Sequence, residues 1–277
     1  MKLSVVIAGE NALDSAFVVW RGFEESMRKA SEYGYDGVEL ALKSADEISA
    51  KYLRELLEKY CLEVSCISTG QVFADSGLYL TDRDPLRREK LIRIFHDLIC
   101  LASGFGKKVN IGRVRGHISH GSTFFETQEL FLEALKTIAK IALQHDVTLL
   151  IEPVNRYEIN FINRLDEGAA ILEQAGILNA GLMADVFHMN IEEIRINDAL
   201  IQCKKYVNYI HLADTNRMAP GWGHMNFDEI FDTLYSIGYD GWVAVEILPK
   251  PDPDSAARQA INYLGPYIKR RDDRSWI

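Results

Sequence analysis

Short apolar runs with strand character alternate with longer helical patterns along the whole chain, and this alternation constrains the fold more than any other feature. The predicted strands are Leu3–Ala8, Gly37–Leu40, Glu63–Ile67, Lys108–Ile111, Thr148–Glu152, Gly181–Asp185, Tyr209–Leu212 and Trp242–Glu246. The predicted helices, with apolar residues three and four positions apart, are Phe23–Tyr33, Ser49–Tyr60, Pro85–Ala102, Thr127–Gln144, Asp166–Ala175, Glu192–Lys204, Asn226–Ile237 and Pro253–Tyr267. Eight such units in about 250 residues are typical of a (β/α)8 barrel, and a doubly wound open sheet is the alternative.

One joint between a helix and a strand occurs twice in the chain. Tyr35-Asp36-Gly37 and Tyr239-Asp240-Gly241 each follow a glycine that ends a helical pattern, and each leads into a predicted strand. The segment 112–122 is rich in Gly, Arg and His, but it is too short for a domain linker and indicates a long loop after a strand. We therefore expect residues 1–277 to form a single barrel domain.

Charge and hydropathy exclude several classes of partner. Lys and Arg number 31 against 40 Asp and Glu, a net charge of −9, so there is no global positive field to hold a nucleic acid. The longest apolar runs, such as Thr148–Ile151, have only the length of strands, and the acid Glu10 interrupts the first run before a secretory leader develops. We expect a cytoplasmic protein that binds no membrane.

The cysteines show no pattern of a disulfide framework or a zinc finger. Cys61, Cys66, Cys100 and Cys203 form no Cys-x-x-Cys pair and have no histidines at metal-binding spacing. We expect buried thiols in a reducing compartment.

Polar residues end four consecutive predicted strands. They are Glu152, Asp185, His211 and Glu246. In a parallel barrel the carboxyl ends of the strands meet at one mouth, where three carboxylates would repel one another unless a cation joined them. Three oxygen donors and one nitrogen suit Mn²⁺, Mg²⁺ or Co²⁺ better than the sulfur-rich or histidine-rich sets of zinc. Each residue alone has an ordinary interpretation as a strand-end cap or an ion-pair partner. Glu39 also ends a strand and is a candidate supporting acid.

Three separated stretches resemble the D-tagatose/D-psicose 3-epimerase family, whose members are xylose-isomerase-like barrels. They are IEPVNRYEINF from Ile151, DVFHMNIEE from Asp185, and GYDGW from Gly238 with its continuation to Glu246. The resemblance is close from Thr148 to the last strand and looser, mainly in pattern, before it. It implies metal ligands at Glu152, Asp185, His211 and Glu246, an acid–base pair at Glu152 and Glu246, and substrate contacts from Glu158, His188 and Arg217. It also implies a divalent metal, with Mn²⁺ first and Co²⁺ or Mg²⁺ as alternatives, and a homodimer or homotetramer.

The reaction that the resemblance implies explains why two glutamates are needed. Epimerisation at C3 of a ketose removes a proton from a carbon next to the carbonyl and returns a proton to the opposite face. Glu152 and Glu246 stand on strands separated by two others, so they can lie on opposite sides of a bound sugar. A metal would act as a Lewis acid on the carbonyl and stabilise the cis-enediolate.

The three expected substrate contacts have ordinary alternatives. His188 follows Asp185 by three residues at an expected strand-to-loop transition, and the alternative is a core histidine with satisfied hydrogen bonds. Arg217 lies on a loop after a ligand strand, where a surface arginine is common. Glu158 is a loop acid, which is usually solvated. The loop 219–224 has the glycines and the aromatic residue of a substrate cover, but we leave it outside the site.

Other functions remain open at this stage. An aldose–ketose isomerase, or an isomerase of inososes or keto acids, would use the same barrel and metal on a different proton. A non-catalytic sugar-binding protein has no need of two opposed carboxylates. Abasic-site endonucleases share the barrel class but need extra histidines, and the strand ends near Ser68 and Gly112 offer none. The expected partner is a small sugar and not a nucleic acid.

Overall fold

The computed structural model describes residues 1–13 and 17–269, and eight parallel strands form a closed barrel within them. The barrel strands are β1 (Lys2–Ala8), β2 (Gly37–Ala41), β3 (Glu63–Ser68), β4 (Lys108–Ile111), β5 (Thr148–Ile151), β6 (Ala180–Asp185), β7 (Val207–Leu212) and β8 (Trp242–Val245). Each strand pairs with the next, and Leu3 of β1 pairs with Val243 of β8 to close the sheet. The predicted (β/α)8 barrel is confirmed over the open sheet. A two-residue strand, Trp20–Arg21, adds to β1.

Helices follow the strands and cover the barrel. They are α1 (Phe23–Tyr33), α2 (Ala50–Tyr60), α3 (Gly70–Ser76), α4 (Pro85–Ser103), α5 (Phe124–Gln144), α6 (Leu165–Ala175), α7 (Val186–Glu192), α8 (Ile196–Gln202), α9 (Phe227–Ser236) and α10 (Pro253–Lys269). Short 3-10 turns occur at Ala45–Glu47 and Arg113–Arg115. Residues 270–277 lie outside the described residues, so a single domain over 1–277 stays a prediction.

The prediction of one helix over Glu192–Lys204 is wrong. The helix α7 begins directly after β6 and already ends at Glu192, and a separate short helix, α8, covers only Ile196–Gln202. Asp185 starts α7, since its carboxylate accepts a hydrogen bond from the backbone N–H of Phe187 at 2.8 Å. Glu193 then has extended backbone, and its carboxylate accepts from the N–H of Leu165 at the start of α6. The helix α3 was also not predicted.

The alternation of side chains along the strands explains where the polar strand ends point. On β7, Ile210 and Leu212 pack into the layer between sheet and helices, whereas Tyr209 lies in the barrel interior. Because the period is two residues, His211 shares the inner face with Tyr209. The same rule applies to Leu150 before Glu152, Met183 before Asp185 and Ala244 before Glu246.

Burial tests the expectation that the cysteines are buried thiols. Cys66 and Cys203 are buried thiols as expected, but Cys61 is exposed and Cys100 is half-buried, so the expectation is wrong for these two. Cys61 occupies the left-handed C-cap of α2, where its side chain points to solvent.

Among the described helices, none combines the length and the apolar character that crossing a bilayer requires.

Candidate active site

The structure brings the four polar strand ends together at one mouth of the barrel. One donor atom from each of Glu152, Asp185, His211 and Glu246 lies within 4.8 Å of the other three. The Nδ1 atom of His211 stands 3.5 Å from a carboxylate oxygen of Glu152, 3.5 Å from one of Glu246 and 3.9 Å from one of Asp185. These separations exceed ordinary hydrogen bonds, so the atoms surround a common point rather than pair with one another.

Glu39 and Tyr209 set the orientation of the His211 ring. The Nε2 atom of His211 donates to Oε2 of Glu39 at 2.9 Å, and the Tyr209 hydroxyl donates to the same oxygen at 2.8 Å. Nδ1 is buried and has no hydrogen-bond partner, and it faces the three carboxylates. A carboxylate behind the ring is the usual support of a metal-binding histidine. Glu39 therefore occupies the supporting position considered from the sequence.

This orphaned nitrogen is the observation that tests the site for a cation. Burial favours the neutral ring, but the charges of Glu39 and Glu152 outweigh it and raise the pKa of His211 well above its usual range. The cluster therefore draws positive charge to Nδ1. Three hard oxygen donors and one imidazole around that point fit a divalent ion such as Mn²⁺, Co²⁺ or Mg²⁺.

Glu152 uses its two oxygens for different contacts. Oε1 faces His211, whereas Oε2 accepts a hydrogen bond from Nδ2 of Asn110 at 2.8 Å. Burial opposes the ionisation of Glu152, yet the nearby positive charges of His211 and His188 lower its pKa overall. Gly112 leaves room for this carboxylate, because a Cβ there would lie 2.8 Å from Oε2.

Arg217 is buried against two of the four donors and is not a surface arginine. Its Nη1 donates to Oδ2 of Asp185 at 2.6 Å, and its Nη2 contacts Oε2 of Glu246. The guanidinium lies over the rings of Phe17 and Phe187, 4.8 Å and 4.7 Å from their centroids. Burial opposes the charge on Asp185, but Arg217 overcomes this and the pKa of Asp185 falls. Arg217 therefore neutralises charge in the cluster and reaches the cavity.

His188 reaches the site from the first turns of α7, so the expected strand-to-loop transition is wrong. Asp185 caps this helix, which places His188 over the strand end three residues earlier. Nδ1 of His188 accepts from Nδ2 of Asn155 at 2.7 Å. Its Nε2 points at Oδ2 of Asp185, 3.6 Å away, and at Oε1 of Glu152, 3.9 Å away. Burial lowers the pKa of His188, which favours a neutral ring that carries its proton on Nε2.

Glu158 lies at the rim with two partners. Asn155 donates to its Oε1 at 3.2 Å, and Nη1 of Arg113 is 3.8 Å from its Oε2. It is partly exposed and faces the same cavity. Asn155 thus holds Glu158 and His188 together.

A small cavity lies above the cluster. Five of the seven predicted site residues line it: Glu152, Glu158, His188, Arg217 and Glu246. The other two, Asp185 and His211, lie below and are almost fully buried. The opposite wall comes from the first half of the barrel, with Val6, Ser68, Gln71, Asn110 and Arg113. Sequence reasoning missed Asn110 and Asn155, although a polar residue between two apolar ones in β4 was a usable signal for Asn110.

The chain is similar to known proteins along most of its length. A family model described as a xylose isomerase-like TIM barrel matches residues 27–267. A probable ketose 3-epimerase of Synechocystis sp. is 28% identical over 257 residues, which cover 86% of this chain and 84% of the relative. The L-ribulose 3-epimerase of Methylomonas sp. is 28% identical, covering 81% of this chain and 78% of the relative. These relatives confirm the resemblance seen in the sequence.

A solved structure shares the fold along almost the whole chain. The D-psicose 3-epimerase from Clostridium cellulolyticum H10, crystallised with D-tagatose, superposes with a TM-score of 0.83 at 22% identity. The match covers 97% of this chain and 99% of that chain. At this identity the likeness establishes the fold alone.

Proposed function

The chain belongs to the xylose isomerase-like TIM barrel family, and from that premise we propose that it is a metal-dependent ketose 3-epimerase of free ketohexoses or related ketoses. One observation carries the proposal: Glu152 and Glu246 both line the cavity and both have an oxygen 3.5 Å from the unpartnered nitrogen of His211. The similarity to relatives named as ketose 3-epimerases supports the same reaction.

The two glutamates would act on opposite faces of the sugar. They follow β5 and β8, with β6 and β7 between them, so they reach the cavity from two directions. Glu152 would take the proton from C3, and Glu246 in its protonated form would give a proton to the other face, with the roles exchanged in the reverse reaction. Both carboxyl groups return to their starting states by proton exchange with solvent.

The four donors would hold the divalent ion, for which Mn²⁺ is our first choice and Co²⁺ or Mg²⁺ the alternatives. When bound, this ion would supply Lewis acidity at the carbonyl and lower the pKa of the adjacent C–H. Arg217 and the Nε2–H of His188 would donate to substrate oxygens, and Glu158 would accept from a hydroxyl at the rim. We further propose a small sugar as partner, a homodimer or homotetramer, and a cytoplasmic location.

The decisive experiment is incubation of the Mn²⁺-loaded protein with a panel of free ketoses in deuterated water, followed by NMR. Deuterium at C3 in both epimers is the expected result. Label at C1 or C2 would instead show an aldose–ketose isomerase. Absence of exchange with every sugar tested, together with retained sugar binding, would favour a binding protein.

A binding protein is also distinguished by substitution. If the protein only binds sugar, Glu246→Gln leaves its sugar affinity largely intact and there is no turnover to lose. If it is an epimerase, the same change removes turnover while substrate still binds.

A further inference from the structure

A second cluster of metal-ligating side chains lies outside the barrel, on the helix layer. His96 and Cys100 are four residues apart on α4, so they share one face of that helix. His145 follows the last residue of α5, and α4 packs against α5. The chain thus brings two imidazoles and one thiol together from segments 45 residues apart.

The distances between these donors match the edges of a tetrahedral site. Sγ of Cys100 is 3.7 Å from Nε2 of His145 and 3.9 Å from Nε2 of His96. Zinc bonds of about 2.3 Å to sulfur and 2.0 Å to nitrogen put two ligands of a tetrahedron about 3.5 Å apart. All three donor atoms lie within 4.8 Å of one another. Small side-chain rotations would close the remaining gap.

The neighbouring acid favours a ligand role for His96. Nδ1 of His96 is 3.0 Å from Oδ1 of Asp97, which can accept its proton. The sulfur of Cys100 lies 3.9 Å from both ring nitrogens of His96, so a small ring rotation would turn the free Nε2 towards it. This is the carboxylate–histidine arrangement that supports metal-binding imidazoles, here formed at half-exposed side chains that an ion can reach from solvent.

We propose that His96, Cys100 and His145 form a second metal site, selective for a zinc-class divalent ion, with solvent in the fourth position. A thiolate and two imidazoles prefer such ions over Mn²⁺ and Mg²⁺, which the oxygen-rich cluster at the barrel mouth prefers. The two sites therefore differ in metal selectivity. A bound ion would join α4 to the end of α5 and stabilise the folded chain.

Cobalt distinguishes the two sites, because only the outer one contains sulfur. We would remove all metal from the full chain, titrate with Co²⁺ and record the absorption spectrum. The expected result is two ions per chain, one of which gives an intense near-ultraviolet thiolate-to-cobalt band. Cys100→Ser should remove this band and leave one ion per chain, and Zn²⁺ should displace that Co²⁺ from the wild type. Cys61→Ser is the matched control, since this exposed thiol has no histidine beside it among the described contacts, and it should keep the band.

A second variant keeps the test independent of the thiol. His145→Ala should weaken Co²⁺ at the sulfur site by at least about tenfold, the lower end of the loss seen when even an outer partner of a metal ligand is removed. Zn²⁺ should raise the unfolding temperature of the wild type more than that of His145→Ala. Bound cobalt that gives no sulfur band in the wild type, or a sulfur band that survives Cys100→Ser, would overturn the proposal.

Discussion

The two halves of the barrel mouth differ in what they contribute to the site. The second half, from β5 to β8, supplies all four clustered donors, one at each strand end. Three of the four strands in the first half end in small residues instead: Ala8 and Ala41 lie in the barrel interior, and Ser68 lines the cavity. The difference shows that charge is concentrated on one side while the other side leaves space for a ligand.

The first half nevertheless controls how the donors point. Glu39 of β2 holds the ring of His211, and Asn110 of β4 holds one oxygen of Glu152. Both bonds are buried. The bond from His211 to Glu39 crosses the barrel interior, whereas the bond from Asn110 to Glu152 joins the neighbouring strands β4 and β5. The second half of the barrel would therefore perform the chemistry, and the first half would orient the side chains that perform it. Substitutions can test the two halves separately.

Removal of the metal should have the largest effect, because it leaves the three carboxylates of the second half without their common cation. We expect complete loss of deuterium exchange at C3 after chelation, and recovery on addition of Mn²⁺ or Co²⁺. The measurement is the NMR assay, and chelator already saturated with metal is the control. Full activity in a sample shown to be metal-free would contradict the expectation. The Cys100→Ser variant should lose exchange on chelation and recover it with metal just as the wild type does. This result would assign the loss to the metal at the mouth of the barrel.

Substitution of either glutamate should remove one proton-transfer group. We expect Glu152→Gln and Glu246→Gln, each assayed at saturating Mn²⁺, to lower turnover by about 10³-fold, within the range of general acid–base catalysis. The exposed Glu229 of α9 offers the matched control, and Glu229→Gln should keep wild-type turnover. Each site variant should still exchange the C3 proton of the one epimer that the remaining glutamate faces. Near-normal turnover in either variant would show that the substituted glutamate is not an acid–base group.

The sequence was informative about the second half for a physical reason. Strand alternation is a local pattern, so the positions of Glu152, Asp185, His211 and Glu246 on the inner face follow from their immediate neighbours. Contacts across the barrel are different, since the partner of His211 lies 172 residues away and depends on the register of the closed sheet. This is why Glu39 was a candidate without an assigned partner. Asn110 was missed because its bond to Glu152 depends on the pairing of β4 with β5, which lies 42 residues further along the chain.

Tertiary packing also decided two other outcomes. Arg217 was an expected substrate contact with a surface arginine as the alternative, and its left-handed backbone turns the side chain inward onto Asp185. The expectation that no histidine lies at metal-binding spacing from a cysteine is wrong for Cys100, since His96 precedes it by four residues on one helix face. The third partner, His145, is brought close only by the packing of α4 on α5. Local patterns placed single residues correctly, whereas tertiary packing decided which of them meet.

Glu39→Gln tests whether the first half orients a metal ligand. The neutral amide binds Nε2–H of His211 less strongly than the carboxylate, so the ring loses its fixed direction and basicity. We expect Mn²⁺ affinity at the mouth of the barrel to fall between about tenfold and a hundredfold, measured by titration calorimetry. Tyr209→Phe removes only the second donor to Glu39 and should give a smaller loss. Unchanged affinity in Glu39→Gln would show that His211 needs no support.

Asn110→Ala should have the smallest effect and should separate orientation of the base from metal binding. The amide of Asn110 contacts Oε2 of Glu152, whereas Oε1 is the oxygen that faces His211. Loss of this hydrogen bond leaves the ligand oxygen in place but frees the other oxygen to rotate. We expect turnover to fall about tenfold, the equivalent of one hydrogen bond to a charged group, while Mn²⁺ affinity stays within about threefold. Equal losses in turnover and in metal affinity would mean that the two oxygens of Glu152 act together. The first half of the barrel would then support metal binding only and would not orient the base.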